Sequence, residues 1–215
     1  MAGGMARLDA FTDAAFAFAV TLMVAGGSSD TPSFDDLAAV AAGAPSFAIG
    51  FAIMVMFWLA HVRWRRLRGV GDWRGIILTL ALVFTVLLYV HPLRAMAASF
   101  ASFLSGRPDD YGGRIADMFA LYGIGFTAMS VIVMLLFLDA RRGSAEDPEP
   151  REALGQAVIW GICAVTGVVA VLLTRIPGFG VWAPFAYATL PVSIGLFVRR
   201  FRWYGTAAAT TEGQA

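Results

Sequence analysis

The sequence predicts an all-α, polytopic membrane protein with six transmembrane helices per subunit. The chain has 215 residues, of which 59% are hydrophobic and 14% charged, and its mean hydropathy is +0.71. Soluble domains of this size carry more charge and less apolar surface. Six apolar windows approach the roughly 20 residues that a helix needs to cross the hydrocarbon core. These windows are 8–26, 45–62, 75–93, 115–138, 156–173 and 180–198.

The first window begins with charged and hydroxyl side chains. Arg7, Asp9, Thr12 and Asp13 precede an apolar run that only Thr21 interrupts. Ionisable groups beside a membrane span usually face a protein interior or a water-filled path, so this segment is the first candidate for function. A cleaved signal peptide is the alternative. Its apolar region should be short and uncharged, whereas two aspartates interrupt the start of this one.

The chain outside the windows is predicted to form loops and a short tail. Residues 27–43 are interpreted as a loop in which Ser33 caps the start of a short helix. The Ala, Thr, Gly and Gln composition beyond Tyr204 indicates disorder. We therefore expect residues 1–203 to form one six-helix transmembrane domain and residues 204–215 a disordered tail.

Arginine placement predicts the orientation of the windows, because positively charged loops and termini stay on the cytoplasmic side. All 16 basic residues are arginine. With both termini inside, twelve of them fall on the cytoplasmic side and four outside. A small chain of this kind fits a multi-pass protein of the bacterial inner membrane. The four outer arginines are Arg94, Arg107, Arg114 and Arg175.

Composition and motifs exclude several other classes of protein. A net charge of +1 cannot supply the basic surface that nucleic acid requires. His61 and His91 lie far apart and Cys163 stands alone in an apolar run, so neither a metal site nor a disulfide is expected. No nucleophile–base pair or phosphate-binding motif occurs at usable spacing, so the chain is not expected to be an enzyme or to hold a cofactor. Asp117 and Asp139, near the ends of the fourth window, are expected to be solvated.

One face of the first window could line a pore. Residues three, four and seven apart share a helix face. A single subunit cannot enclose a path, but a symmetric oligomer could bring several copies of this face around an axis. Apolar rings would then restrict ions through narrowness and dewetting. The alternative is that the stripe packs within its own subunit, which is favoured for an arbitrary apolar helix. The stripe consists of Ala14, Phe18, Thr21, Leu22 and Ala25.

The second window carries two polar aromatic side chains on one face. Trp58 and His61 are three residues apart and are expected at the depth of Thr12 and Asp13. A Trp–Asp or His–Asp hydrogen bond would stabilise the poorly solvated carboxylate. Equally, Trp58 could be an interfacial anchor, with His61 solvated among arginines.

These segments resemble a known family. Arg7-x-x-x-Phe11-Thr12-Asp13 is similar to the Arg-x-x-x-Phe-Ser-Asp signature of the transmembrane protein 175 potassium channels of lysosomes and bacteria. Phe57-Trp58-x-x-His61 is similar to the motif on that family's second helix. Val90-His91-Pro92 lies where the family's third helix carries a proline-rich end. The resemblance covers roughly the first hundred residues, a judgement from pattern.

The resemblance implies a six-helix subunit of the bacterial single-repeat type. Such a subunit forms a homotetramer in the bilayer, with the first helix lining a pore that prefers potassium among monovalent cations and needs no cofactor. The constriction would fall on Phe18, Leu22 and Ala25, and potassium preference on Thr21. The network that positions the pore helix would comprise Arg7, Phe11, Thr12, Asp13, Trp58, His61 and Thr79.

The chain departs from the family pattern at several of these positions. Thr12 replaces a serine and keeps the hydroxyl group. Phe18 replaces isoleucine or leucine, and four such rings around one axis would close or reshape the path. Thr79 replaces an asparagine, which removes one amide. Ala25 replaces a larger aliphatic residue and would widen the outer end of the stripe.

Two other functions stay open on the same fold. One is a non-conducting membrane scaffold or sensor, in which the Phe18 rings block the axis permanently. The other is a small secondary transporter, although such folds usually show internal repeats and broken helices. No second copy of the signature occurs in this chain, and Pro184 and Pro191 in the sixth window are interpreted as kinks.

Overall fold

Helices account for almost all of the part of the chain that the computed structural model describes, which is residues 2–25, 44–69, 72–104, 114–143 and 149–201. A 3₁₀ segment, Gly180–Thr189, precedes the last α-helix. This helical, membrane-type architecture agrees with the sequence. In the described ranges the α-helices are α1 (Ala2–Ala25), α2 (Ala44–Arg68), α3 (Trp73–Leu104), α4 (Ile115–Gly143), α5 (Glu149–Leu173) and α6 (Leu190–Phe201).

The prediction of six transmembrane helices is wrong. Within the described residues, four helical segments are long and apolar enough to cross a membrane. They belong to α2, α3, α4 and α5, which match the four middle windows. The four segments are Phe47–Arg68, Trp73–Met96, Ala116–Arg142 and Arg151–Leu173.

The first window is not a candidate membrane span because it begins with charged residues. Helix α1 has 24 residues, but Arg7, Asp9 and Asp13 lie in its first half. The apolar run that follows, 14–25, has a length of only about 18 Å at 1.5 Å per residue. The hydrocarbon core is about 30 Å thick. This run is therefore too short to cross lipid without the charged turns.

The sixth window is not a candidate membrane span because its two prolines interrupt the α-helix and do not merely kink it. Pro184 lies inside the 3₁₀ segment of 10 residues, and Pro191 lies in the first turn of α6, which has 12 residues. Proline lacks the N–H donor that a continuous α-helix needs. The window is thus divided into two short pieces, and α6 is only about 18 Å long.

The other helices differ from their windows mainly at the ends. Helix α2 continues through its arginine-rich turn to Arg68, and α3 continues through Pro92 to Leu104. The arginines at the end of α2 favour the helix, so it continues past the apolar stretch. The predicted loop 27–43, with its Ser33 cap, and the predicted tail 204–215 lie outside the described residues.

Helices α4 and α5 form the most closely packed pair. A Cβ atom added to Gly167 would lie 3.4 Å from the carbonyl oxygen of Gly123 and would collide with the Thr127 side chain. Small residues of this kind let helix backbones approach each other in membranes. On either side, aromatic rings fill the core, with Phe57 of α2 centred 5.0 Å from Trp160 of α5.

Helix α3 begins at a side-chain cap. The backbone N–H groups of Arg74 and Gly75 donate to Asp72 Oδ1, both at 3.1 Å. These bonds satisfy two donors that every helix start leaves without an intrahelical partner. The Gly75 bond is the main reason that the pKa of Asp72 is lowered, and the Arg68 guanidinium lowers it further.

Candidate functional site

Helix α1 has one covered face and one uncovered face. Phe16, Ala19 and Met23 are buried against α2 and α3. Phe18 is 56% exposed, and Thr21 is also exposed. The sequence-predicted stripe therefore lies largely on the uncovered side of the subunit. Its other members are Ala14, which is exposed, Leu22, which is half-buried, and Ala25, whose side chain lies outside the described part.

Asp13 and Trp58 join α1 to α2 directly. Trp58 Nε1 donates a hydrogen bond of 2.8 Å to Asp13 Oδ1. A hydrogen bond to an ionised carboxylate is stronger than one between neutral groups. Of the two interpretations open for Trp58, the structure has the hydrogen bond to the carboxylate.

His61 joins α2 to α3 instead of bonding Asp13. Its Nε2 atom lies 3.1 Å from Thr79 Oγ1, and both residues are buried, with 2% and 0% exposure. The expectation that His61 is solvated among arginines is therefore not what the structure has. A buried imidazole needs such a partner because an unpaired polar group in an apolar core is costly. Which of the two groups donates depends on the imidazole tautomer.

The remaining members of the predicted network do not join it within the described structure. Thr12 is fully buried, but its Oγ1 donates back to the Leu8 carbonyl at 2.9 Å within α1. Arg7 and Phe11 are exposed. Arg7 makes no hydrogen bond or ion pair with any described residue. The signature thus places Thr12 on the packed face of α1 and Arg7 and Phe11 on the open face.

A second contact to α1, from Arg65, was not predicted. Arg65 Nε lies 2.7 Å from Asp9 Oδ1, and Nη2 lies 3.2 Å from Oδ2. This is the two-pronged geometry that matches a guanidinium to a carboxylate. The signal in the sequence was the position of Asp9, one turn before Asp13 and so beside the same neighbouring helix.

The expectation that Asp139 is solvated is wrong. Its side chain is buried, and Oδ2 lies 2.9 Å from Arg68 Nε. The apolar run of α4 continues to the residue before Asp139, so the carboxylate stays inside the bundle and needs a cation there. Asp117 behaves as expected, because it is exposed and pairs at the surface with Arg114.

Helix α1 is attached to the rest of the subunit on one side only. Two contacts from α2, Arg65 to Asp9 and Trp58 to Asp13, hold the charged turns of α1. The apolar turns beyond them pack on one side only. Among the described residues no group of histidine, cysteine and carboxylate side chains is arranged to hold a metal ion. The arrangement can position a helix face, and it offers no group placed for covalent chemistry.

Comparison with known proteins finds a family match for the part of the chain that contains this helix. Residues 7–92 match the family model of the endosomal/lysosomal potassium channel TMEM175. The resemblance to the TMEM175 family is confirmed. The match spans α1, α2 and α3 as far as Pro92, and so includes every polar contact between α1 and α2 described above.

A relative and a solved structure extend the similarity to TMEM175 proteins. A protein named potassium channel from Marivirga tractuosa is 30% identical over 143 residues, which are 61% of this chain and 57% of that protein. The chain thus spans little more than half the length of that relative. A solved structure of a variant of the potassium channel MtTMEM175, bound to a nanobody–MBP fusion, has a TM-score of 0.78 at 23% identity. It covers 91% of this chain and 93% of its own.

The structural similarity establishes the fold that this chain shares with a TMEM175 protein. The family and the relatives named above are ion channels, which confirms the prediction that the chain is not an enzyme. Similarity to a family of membrane proteins also agrees with the four candidate spans.

Proposed function

We propose that this chain is the subunit of a potassium-preferring cation channel. In this proposal four copies bring the open face of α1 to a common axis, along which potassium ions pass. The observation that carries the proposal is the division of α1 into a face packed on α2 and α3 and a face that the subunit leaves uncovered.

The open face needs copies of itself to enclose a path. Most of the oligomers that soluble chains form are closed and symmetric, and a ring presents the same face of every subunit to its axis. An axis lined by α1 also explains how a helix with charged turns can lie in a membrane. Such a helix is shielded from lipid by the four candidate spans of each subunit and does not have to cross lipid alone.

The residues on this face have distinct proposed roles. Phe18 and Leu22, with Ala25, form the apolar constriction that hinders ions by narrowness and dewetting. Thr21 supplies a hydroxyl layer for potassium preference. Its Oγ1 donates to the Ala17 carbonyl at 3.0 Å, so the oxygen keeps lone pairs for a cation.

The polar contacts behind α1 set its position. Asp9, Asp13, Trp58, His61 and Thr79 join α1 to α2 and α2 to α3, and none of them faces the axis in this arrangement. Phe11 shares the open face with Phe18, which is seven residues later, and Arg7 lies on the same face four residues before Phe11. In the tetramer they therefore face neighbouring copies or the pore mouth, and they do not belong to the positioning network.

Orientation follows from charge. The arginine-rich ends of α2 and α4 lie on the same side of the four candidate spans, the side that retains positive charge, which is the cytoplasmic side of a bacterial inner membrane. Potassium is the permeant ion, and no cofactor takes part.

Ion flux from reconstituted protein tests this function. Purified protein in liposomes should pass potassium faster than sodium. Phe18→Ala should raise potassium flux severalfold, because it widens the apolar constriction. Phe84→Ala is the matched control, since Phe84 is 70% exposed on α3 and belongs to no part of the proposed axis.

The results of this experiment distinguish an ion channel from a non-conducting membrane scaffold. No flux from either the natural chain or Phe18→Ala, with intact tetramers, contradicts the channel and favours the non-conducting scaffold. An equal rise from Phe84→Ala would show that loss of any exposed ring makes the liposomes leak. The mass of the detergent-solubilised oligomer, measured by light scattering, should correspond to four chains.

A further inference from the structure

A groove of about 280 Å³ lies between the start of α3 and the end of α4. Its walls come from two helices at spacings of three and four residues, so each helix presents one face. It is separate from the face of α1 and from every contact in the positioning network. The residues that define it are Arg74, Ile77, Leu78, Leu135, Leu138 and Arg142.

Two exposed arginines lie at the groove. Arg74 and Arg142 are exposed, and neither forms an ion pair with any described residue. Nearby arginines differ, because Arg65 and Arg68 are bound to Asp9 and Asp139. The Arg74 guanidinium lies over the Trp73 ring, 5.7 Å from its centroid, and its charge lowers the pKa of Asp72, but neither interaction is an ion pair. Both guanidinium groups can therefore still bind an anion.

Among the described residues that line the groove, the only carboxylate already has a cation partner. Asp139 contributes to the lining, but its Oδ2 atom is held at 2.9 Å by Arg68 Nε. Arg68 is also 3.6 Å from Asp72. An anion in the groove would thus meet the two arginines without an unpaired negative charge beside them.

The groove changes from cationic to apolar along the helix axes. The candidate spans Trp73–Met96 and Ala116–Arg142 begin and end at its charged rim, which places that rim at the membrane–water boundary. Trp73 is 65% exposed there, as is typical of an interfacial anchor. Below the rim, Ile77 and Leu135 are exposed large apolar side chains.

We propose that this groove binds an anionic phospholipid. The phosphate lies between Arg74 and Arg142, and one acyl chain lies along Ile77 and Leu135. Guanidinium groups match phosphate oxygens in a two-pronged geometry. Basic pockets between membrane helices bind anionic headgroups for the same electrostatic reason. The proposal does not depend on whether the protein conducts ions.

Native mass spectrometry of the detergent-purified full-length protein tests this site. The protein is equilibrated with equal amounts of phosphatidylglycerol and phosphatidylcholine, and the retained lipids are counted. We expect preferential retention of phosphatidylglycerol. Loss of each arginine should weaken the binding of phosphatidylglycerol roughly fivefold, so the double variant Arg74→Gln/Arg142→Gln should weaken it about 30-fold.

A matched pair controls for charge. Arg66→Gln/Arg141→Gln removes two exposed arginines at the same end of the bundle that line no part of the groove, and it should keep the preference. A second variant, Ile77→Trp, fills the apolar part while both arginines remain, and it should also reduce retention. Thermal unfolding of each variant shows that it is folded.

Four results would overturn the proposal. An equal loss in the control pair would indicate diffuse surface charge. Displacement of phosphatidylglycerol by millimolar inorganic phosphate would indicate a site for a free anion. Full retention by Ile77→Trp would show that no acyl chain occupies the groove. A changed number of subunits in Arg74→Gln/Arg142→Gln would show that the groove is a contact between copies.

Discussion

Helices α1 and α5 are of similar length but are held in the molecule in different ways. Helix α5 is packed closely along α4, where Gly123 and Gly167 bring the two backbones together. Helix α1 packs on one face only, and its charged turns are fixed by Asp9 and Asp13. The difference indicates that the α4–α5 pair supplies most of the packing. Helix α1 is mounted on α2 with a free face.

Helix α2 contacts both α1 and α4. The largest loss of stability is expected from a change at its contact with α4, the Arg68–Asp139 ion pair. Asp139→Ala leaves Arg68 largely buried, with only the longer contact to Asp72. Breaking a buried pair by removing one partner costs about 3 kcal/mol or more. We therefore expect the temperature of unfolding in detergent to fall markedly. Tryptophan fluorescence measures this unfolding.

Asp117→Ala is the control for this prediction. Asp117 is on the same helix and also pairs with an arginine, but both side chains are exposed. Exposed pairs contribute less than about 1 kcal/mol. Equal destabilisation by the two variants would show that burial of the Arg68–Asp139 pair is unimportant.

The next effect concerns the closely packed pair itself. Gly167→Ala places a Cβ atom against Thr127 and Phe126 of α4, so the helices must separate or the side chains must move. Overpacking of this kind costs about 2 kcal/mol. Unfolding of the detergent-purified variant should show the loss.

A second glycine on α5 serves as the comparison. A Cβ atom on Gly161 would meet only Met134 Sδ, at the ordinary contact distance of 3.5 Å. Gly161→Ala should be neutral or slightly stabilising, because alanine favours the helix by up to about 1 kcal/mol. If both variants were equally stable, the close approach of α4 and α5 would not matter for packing.

A smaller effect on stability, confined to α1, is expected from Trp58→Phe. This change keeps most of the ring volume and removes the donor to Asp13. The cost should be about 1 kcal/mol, because the freed carboxylate is exposed and can bind water. Amide hydrogen exchange should rise in α1 and stay unchanged in α4 and α5.

Trp182→Phe is the matched change for this experiment. Trp182 is 59% exposed in the 3₁₀ segment and lies far along the chain from α1. Its replacement should leave exchange in α1 unaltered. Faster exchange throughout the bundle in Trp58→Phe would contradict the idea that α1 is mounted separately from the packed core.

The sequence predicted the helical class and the four middle spans well, because long apolar runs are a strong local signal. It failed at the first and last windows. Window averages do not show that Asp9 and Asp13 shorten the apolar part of α1. They also do not show that Pro184 and Pro191 divide the last window, since proline acts by removing a specific hydrogen bond.

The candidate site was predictable only in part. Residue spacing predicted that Trp58 and Asp13 lie at the same depth, but it left two interpretations of Trp58 open. For His61 it suggested Asp13 as the hydrogen-bond partner, whereas the structure has Thr79. Partner choice depends on the rotation of each helix about its axis, which no local pattern contains. The ion pair of Asp139 was missed for the same reason, because its partner lies on another helix.

The last effect on stability, no larger than that of Trp58→Phe, is expected at the Asp72 cap at the start of α3. Asp72→Ala removes the acceptor for the Arg74 and Gly75 amides and should cost about 1 kcal/mol at pH 7. The pKa of Asp72 is lowered from 3.8, first by the Gly75 bond. A lowered pKa in the folded state means that the ionised group stabilises the fold above pH 3.8. That stabilisation is lost as the pH falls through the lowered value.

The difference in stability between the natural chain and Asp72→Ala should therefore shrink as the pH is reduced below 3.8. Unfolding measured at pH 7 and at several acid pH values checks this. Asp72→Asn should stay close to the natural chain at pH 7, because an amide oxygen can also accept the two bonds, and its stability should not share this pH dependence. A difference that widens in acid would contradict the ionised cap.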